Sequence, residues 1–319
     1  MSAREARTVA QAKINLFLRV LAREASGYHQ IETLFQRLTL GDDVVVRVGV
    51  DGRALDVRGA DAGPTERNLA WRAALAYSEA AGWPNGFAIE IDKRVPVGGG
   101  LGGGSADAGA VLRCLDALAP TPLGAADLLA IAAPLGADVP FLTADAPLAL
   151  GWGRGERMLA LPPLPERTAH LALFEHGVAT GPAYAALDAR RGDDPPRPIV
   201  WSAARFARWD DVALVATNDF EAAVLSERGD IAEVRELFVG ICRSADASRA
   251  ELDASSGDSA SFSLMSGSGA TVFLLSPRHD DDWALVIGTT APDDAPESTA
   301  FRIVETTTAT RVAPVHVAD

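Results

Sequence analysis

Pro96-Val97-Gly98-Gly99-Gly100-Leu101-Gly102-Gly103-Gly104-Ser105-Ala106-Asp107 places six glycines in the seven positions from 98 to 104. A backbone without Cβ atoms bends tightly and can turn several N–H groups toward one point. A helical pattern follows at once, with Ala108, Val111, Leu112, Leu115 and Leu118 on one face. Ser105 is expected as its N-cap, Asp107 stands in the first turn where negative charge is favoured, and Pro120 ends it. Upstream, Phe87, Ile89 and Ile91 alternate with Ala88, Glu90 and Asp92, which predicts a strand. A strand, a glycine loop and a helix N-terminus in succession make a phosphate site, and so point to a nucleotide-using protein.

Other nucleotide loops fit less well. The run contains Gly-x-Gly-x-x-Gly at Gly98, Gly100 and Gly103, but six glycines make that match nearly automatic. No clear parallel strand ending in an acidic residue follows at the spacing a dinucleotide site needs. A Walker loop needs Gly-Lys-Ser/Thr, whereas Gly104 precedes Ser105 directly. A flexible linker would not be flanked by a strand and an amphipathic helix.

Among 29 basic residues only Lys13 and Lys93 are lysines. Each is therefore a candidate for a place that the wide arginine fork cannot fill. Lys93 closes the strand before the glycine loop; a solvated strand end is its plain alternative. Lys13 lies in the strand-like segment Thr8 to Leu18, where Ile14, Leu16 and Leu18 alternate with Lys13, Asn15 and Phe17. Lysine and asparagine on one face of a mostly buried strand call for a polar reason.

A chain of 319 residues with 48% hydrophobic content can bury a large core, expected in two lobes. Its net charge of −14 argues against nucleic-acid and membrane-surface partners, so an anionic ligand needs local donors. Cys114 and Cys242 are the only cysteines, Cys114 on the predicted helix, which suits a reducing compartment without disulfides. There is no long apolar run or signal-peptide pattern, and a cytoplasmic location is expected.

Strands are expected at 8–20, 43–50 and 87–93, and helices at 67–81, 105–118 and 125–135. Met1 to Arg7 reads as frayed. A join near Leu159 to Arg167, with Pro162, Pro163 and Pro165, divides the chain into lobes at 1–160 and 161–319. Residues 190–198 read as a loop, 244–262 as a mobile insertion after a helical stretch Ile231 to Ile241, and Asp280 to Asp282 as solvated surface. Two further loops are candidate sites. Leu135-Gly136-Ala137-Asp138-Val139-Pro140-Phe141 sets one acid on a turn, where capping and catalysis both remain open. Met265-Ser266-Gly267-Ser268-Gly269-Ala270 precedes the strand-like Thr271 to Leu275 and can present N–H and hydroxyl donors, or be a plain turn.

Four motifs in order resemble the GHMP superfamily of small-molecule kinases. They are Ala12-Lys13-Ile14-Asn15-Leu16 with Gly27-Tyr28-His29 and Thr33-Leu34-Phe35-Gln36; Gly98 to Ser105; Gly136 to Phe141; and Ser266-Gly267-Ser268-Gly269. The likeness runs over roughly residues 9 to 275. Gly-Tyr-His is similar to the branch acting on a cytidine-diphosphate-linked methylerythritol in non-mevalonate isoprenoid synthesis. The resemblance implies an α+β, two-lobed GHMP kinase fold, with a ribosomal-protein-S5-domain-2-like N-terminal lobe and a ferredoxin-like C-terminal lobe. It implies ATP and Mg²⁺ as cofactors and a monomer or homodimer.

By that resemblance Asp138 would be the general base and Lys13 would hold it ionised and steady the transferred phosphoryl group. Pro96, Gly98, Gly99, Gly100, Leu101, Gly102, Gly103, Gly104 and Ser105 would receive the ATP phosphates, Ser105 also Mg²⁺, and Asn68 and Lys93 the adenosine. Cytosine would stack on Tyr28, with His29 at its hydrogen-bonding edge and Tyr184 completing the sandwich. Asn15 would bind the methylerythritol or phosphate end, and Ser266, Gly267, Ser268 and Gly269 would border the substrate. Three departures stand out. Ala179 replaces the usual serine in Val178-Ala179-Thr180, Asn218-Asp219-Phe220 replaces Asn-Asp-Leu, and Gly109 sits where alanine is common. On propensity alone Gly109 costs about 0.5–1 kcal/mol. A GHMP kinase for another small alcohol, of the homoserine or mevalonate type, and a non-catalytic nucleotide-binding relative are the alternatives.

Overall fold

The computed structural model describes residues 3–61, 63–192, 202–252, 258–277 and 301–318. Two long antiparallel strands, β1 (Arg4–Arg23) and β2 (His29–Val48), open the fold. There follow β3 (Arg53–Arg58), α1 (Leu69–Ala81), β4 (Phe87–Asp92), α2 (Gly103–Leu118), α3 (Ala125–Ala132) and α4 (Val139–Thr143). Then come β5 (Leu148–Gly153), β6 (Arg157–Leu161), β7 (Thr168–Phe174), α5 (Thr180–Arg191), α6 (Trp209–Ala213), α7 (Glu221–Glu227) and α8 (Gly229–Leu252). The last strands are β8 (Phe262–Met265), β9 (Val272–Ser276), β10 (Phe301–Thr307) and β11 (His316–Ala318).

The first sheet runs β11-β1-β2-β4-β3, with β5 on the other half of β2 and β6 beyond it; the second runs β10-β7-β9-β8. The chain changes sheets between Leu161 and Thr168 and returns through β11. Val44, Val46, Ile89 and Ile91 bury one face of the first sheet against α1 and α2, each side chain contributing about 1.5–3 kcal/mol. A second cluster joins the sheets, through Ile14, Leu16, Leu171 and Phe273. A third packs α5, α7 and α8 on the second sheet.

Several expectations change. Arg4–Arg7 are not frayed: they pair with Val48 to Val45 on one side and, from Glu5 on, with β11 on the other. The strand expected at 43–50 begins at His29, because β2 uses its two halves for two neighbours. The ladder slips between Gln11 and Lys13 and again between Asn15 and Phe17. The second slip breaks the period of two, so Phe17 joins Ile14 and Leu16 in the core instead of sharing the face of Lys13 and Asn15. Helix α8 runs through Leu252, so the first half of 244–262 is helical rather than a mobile insertion. Residues 193–198 of the expected loop and Asp280 to Asp282 lie outside the described residues.

Candidate active site

Helix α2 starts earlier than its side chains suggest. Gly102 (φ 72°), not Ser105, is its N-cap, and Ser105 is its third residue. The first internal bond runs from the Ala106 amide to the Gly102 carbonyl. The loop before it is held by its carbonyls. Gly99 O accepts from the Thr271 amide (3.1 Å), Leu101 O from the Lys13 amide (2.9 Å) and Gly100 O from Ser266 Oγ (3.0 Å). Among the described residues, the amides of Gly98 to Ser105 have no partner. Bare amides at a helix N-terminus form an anion site. Gly100 has φ 80°, and a Cβ there would lie 2.1 Å from Ser266 O, so only glycine allows the second lobe's loop to come this close.

Asp107 lies past the first turn of α2, which begins at Gly103. It is buried, and its Oδ2 accepts from Lys93 Nζ at 2.8 Å. Lys93 Nζ also pairs with Asp42, whose Oδ1 accepts from the amides of Arg94 (2.6 Å) and Val95 (2.7 Å). The cluster pins both ends of the glycine loop. Burial pushes Asp107 up to about 7 against the pull of Lys93, and its Oδ1 lacks a partner. Burial disfavours the charged Lys93, but the two carboxylates outweigh it and raise its affinity for a proton.

Lys13 is 3% exposed. The slips on either side of it aim its ammonium at Asn15 Oδ1 (2.7 Å) and at Asp138 Oδ2 (3.4 Å). Asn15 Nδ2 donates to Thr33 Oγ1 (2.7 Å), and Gly267 N donates to Asn15 Oδ1 (3.1 Å). Asp138 is the N-cap residue of α4 but its side chain accepts no capping bond, which leaves the carboxylate available. Among the described residues this convergence answers why a lysine is buried here.

Three cavities adjoin one another here, and the pair lines the middle one. One of roughly 480 Å³ is lined by Asn68, Lys93, Pro96, the glycines 98–100 and 102–104, and Ser105. One of roughly 1140 Å³ is lined by Tyr28, His29, Arg154, Tyr184 and Asp188. Between them, one of roughly 270 Å³ contains Lys13, Asn15, Asp138, Gly267 and Ser268. Gly100, Gly102, Ser105 and Ser268 are common to the first and third; Ala137, Arg154 and Tyr184 to the second and third; Thr180 to all three. The path therefore runs from glycine loop to acid to aromatic cavity.

Not every expected residue faces this path. The Leu101 side chain packs in the core, and its carbonyl is taken by the Lys13 amide. Ser266 and Gly269 line none of the three cavities; they close their turn through Gly269 N to Ser266 O (3.0 Å). His29 lies flat on Tyr184 (centroids 4.5 Å, 11°), and its Nε2 is 2.9 Å from Asp188 Oδ1. Tyr28 is 60% exposed with the Arg154 guanidinium 4.2 Å from its ring centre. Burial pushes the Tyr184 hydroxyl up to about 12, so it stays neutral.

Sequence reasoning missed Arg154, Thr180 and Phe220. Arg154 is held by Glu24 (2.6 Å) and borders two cavities; nothing in the sequence distinguishes it from the other arginines. Phe220 borders the central cavity and meets Tyr184 edge-on (4.9 Å, 80°). Its place beside the bound turn of Asn218, which donates to Met265 O (2.6 Å) and Gly267 O (2.9 Å), was the available signal.

Comparison with known proteins agrees with this geometry. The GHMP kinases N terminal domain family matches residues 68–145. A 4-diphosphocytidyl-2-C-methyl-D-erythritol kinase of Leifsonia xyli is 37% identical over 292 residues, 85% of this chain and 88% of that protein. One of Mycobacterium avium is 41% identical over 225 residues, 67% of this chain and 70% of that protein. A crystal structure of 4-(cytidine 5'-diphospho)-2C-methyl-D-erythritol kinase superposes with TM-score 0.66 at 32% identity, covering 95% of this chain and 98% of that one. Homoserine kinase from Cytophaga hutchinsonii, at 17% identity and TM-score 0.62 over 100% of this chain and 98% of that one, shares the fold. With its α+β two-sheet architecture and this coverage, the chain belongs to the 4-diphosphocytidyl-2-C-methyl-D-erythritol kinase family of the GHMP kinases.

Proposed function

We propose that this chain transfers the γ-phosphoryl group of ATP to the 2-hydroxyl of 4-diphosphocytidyl-2-C-methyl-D-erythritol, a step of non-mevalonate isoprenoid precursor synthesis. The observation that carries the reading is the 3.4 Å approach of Lys13 Nζ to Asp138 Oδ2, in a cavity open to the glycine loop on one side and the aromatic cavity on the other. The two sheets correspond to two lobes, with the nucleotide between them.

In this reading the ATP phosphates rest on the free amides of 98–105, with Asn68 and Lys93 toward the adenosine. Lys93 acts from beneath, since Asp42 and Asp107 already hold its ammonium. The methylerythritol lies against Asn15, Gly267 and Ser268. The cytosine enters the cavity of Tyr28, His29 and Tyr184, and Arg154 is the cation beside the intervening diphosphate. A tertiary alcohol is a poor nucleophile. Asp138 accepts its proton as the oxygen–phosphorus bond forms, a contribution of about 10²–10⁴ in rate. The bond from the γ-phosphorus to the bridging oxygen breaks, and ADP leaves with that electron pair. Lys13 orients the hydroxyl and offsets charge on the transferred group.

Mg²⁺ fits as an ion carried on phosphate. Among the described residues no three carboxylate, histidine or cysteine groups gather to hold a metal, and Ser105 borders both the glycine-loop and central cavities. Ser105 and phosphate oxygens would hold the ion, which supplies charge neutralisation. Among the described residues no helix is long and apolar enough to cross a membrane. Cys114 and Cys242 are both buried and neither is in a disulfide, and the reading puts the reaction in the cytoplasm.

Purified protein with ATP, offered the cytidine-linked alcohol, homoserine or mevalonate in parallel, tests the proposal. Turnover of the first alone is expected. Turnover confined to either of the others overturns the substrate, and ATP binding without turnover of any overturns the reaction.

A further inference from the structure

Arg37 is 1% exposed and makes no ion pair among the described residues. Its guanidinium spends its donors on backbone. Nη2 reaches Phe141 O (2.7 Å) and Ala144 O (2.9 Å), and Nε reaches Ala146 O (3.1 Å). These carbonyls belong to the end of α4 and the chain just after it, so Arg37 caps the helix whose other end is Asp138. Its guanidinium also sits 5.0 Å from the centre of the Phe141 ring. Phe141 stacks on Phe35 (4.9 Å, 14°), and Lys13 Nζ stands 5.9 Å from the Phe35 centre.

We propose that Arg37, Phe141 and Phe35 form a buried column that positions the Lys13–Asp138 pair for phosphoryl transfer. One end of the column fixes α4 and with it Asp138; the other supports the ammonium of Lys13. A buried cation without a counter-ion is costly, so plain packing would favour an apolar side chain here. The fork suits the three carbonyls and the negative end of the helix dipole in a way that a point charge does not. Arg37 and Phe141 line none of the three cavities and Phe35 lines only the central one, so Arg37 and Phe141 act through Lys13 and Asp138. Of the titratable groups nearest Arg37, Arg113 and Asp145, neither meets it in a hydrogen bond.

The inference rests on Asp138 as proton acceptor. Full-length Arg37→Gln, Arg37→Lys, Phe35→Leu and Asp138→Asn proteins are compared by steady-state kinetics, with competent sites counted by ADP titration. Arg37→Gln is expected to lower kcat per nucleotide-binding site at least about tenfold, with both KM values within about twofold. Arg37→Lys should recover part of that rate, and Phe35→Leu, which leaves the cap intact, should lower it in the same direction. A packing role alone would reduce the number of competent sites and leave kcat per site unchanged, which overturns the column. If Arg37→Gln does not fold, Phe35→Leu decides: full kcat per site overturns the proposal. Normal turnover by Asp138→Asn instead defeats the functional reading, whereas a dead Asp138→Asn beside fully active column variants defeats the column alone.

Discussion

Replacing Gly109 by alanine sets two effects against each other. Within a helix, alanine is favoured over glycine by about 1 kcal/mol. The structure opposes this. A Cβ at Gly109 would lie 2.4 Å from Leu142 O, 2.6 Å from Leu142 C and 2.8 Å from Thr143 N, all backbone of α4. Carbon and carbonyl oxygen normally stop near ~3.3 Å, so α2 and α4 must part by close to an ångström. Overpacking of this kind costs about 1–3 kcal/mol, which leaves a net loss of stability of up to about 2 kcal/mol. Catalysis should suffer more. Helix α2 carries the glycine loop at its start, and α4 carries Asp138 at its start. A displacement near 1 Å between reacting groups costs on the order of 10²-fold in rate. Gly109→Ala should therefore lower kcat by about 10–100-fold while ATP, bound on α2 itself, keeps a similar KM. ADP release at saturating substrates and thermal unfolding measure both. A variant with normal kcat and a raised Tm would refute the close approach of the two helices and restore the propensity argument.

Other perturbations separate the parts of the site. Asp138→Asn should bind ATP almost as the parent does and lose at least about 10² in kcat, read by nucleotide titration beside steady-state rates. Tyr28→Ala removes an exposed ring, so the fold should persist while KM for the cytidine substrate rises about 5–150-fold, the worth of about 1–3 kcal/mol of base stacking, with KM for ATP unchanged. Asp107 offers a pH test. Its folded affinity for a proton, about 7, stands above the ordinary carboxylate value of 3.8. The native state therefore holds more protons than the unfolded chain between those values, and this group's stabilisation is lost as pH rises toward 7. Asp107→Asn lacks that slope. Urea unfolding should show the parent gaining on the variant as pH falls from about 7 to about 4; a gap that widens with rising pH would mean that the ionised pair with Lys93 dominates.

The elements legible in the sequence are those whose signal is local. Helices α1 and α2 and strand β4 follow from spacing within a few residues, and their boundaries fall within two residues of expectation at most ends. The glycine loop announces itself by composition. Strand β1 was legible as a strand but not in its facing, because a slip between Asn15 and Phe17 reverses the alternation after that point. A bulge is decided by the partner strand and the loop that docks on it, here the Leu101 carbonyl on the Lys13 amide, and neither is encoded in the period. The start of α2 was misplaced for a related reason. Glycine carries no side-chain preference to read, yet glycines let the helix begin early.

Gly109 shows the same limit with the opposite sign. By propensity it is a flaw in α2; by packing it is the position where α2 can touch the backbone of α4. The apparent defect and the close approach of the helix that starts at Asp138 to the helix that follows the glycine loop are one fact. The site depends throughout on such contacts between distant segments. Thr271, Ser266 and Lys13 take the three carbonyls of the loop from two different lobes, and that leaves its amides with no internal use. A single-lobe glycine loop would satisfy its amides and carbonyls locally or in water. Here the polarity of the cradle is imposed from outside. The Ser266–Gly269 turn and the glycine loop are held against each other by these bonds. Motifs far apart in the chain meet there because each supplies a partner that the glycines, having no side chains, cannot supply for themselves.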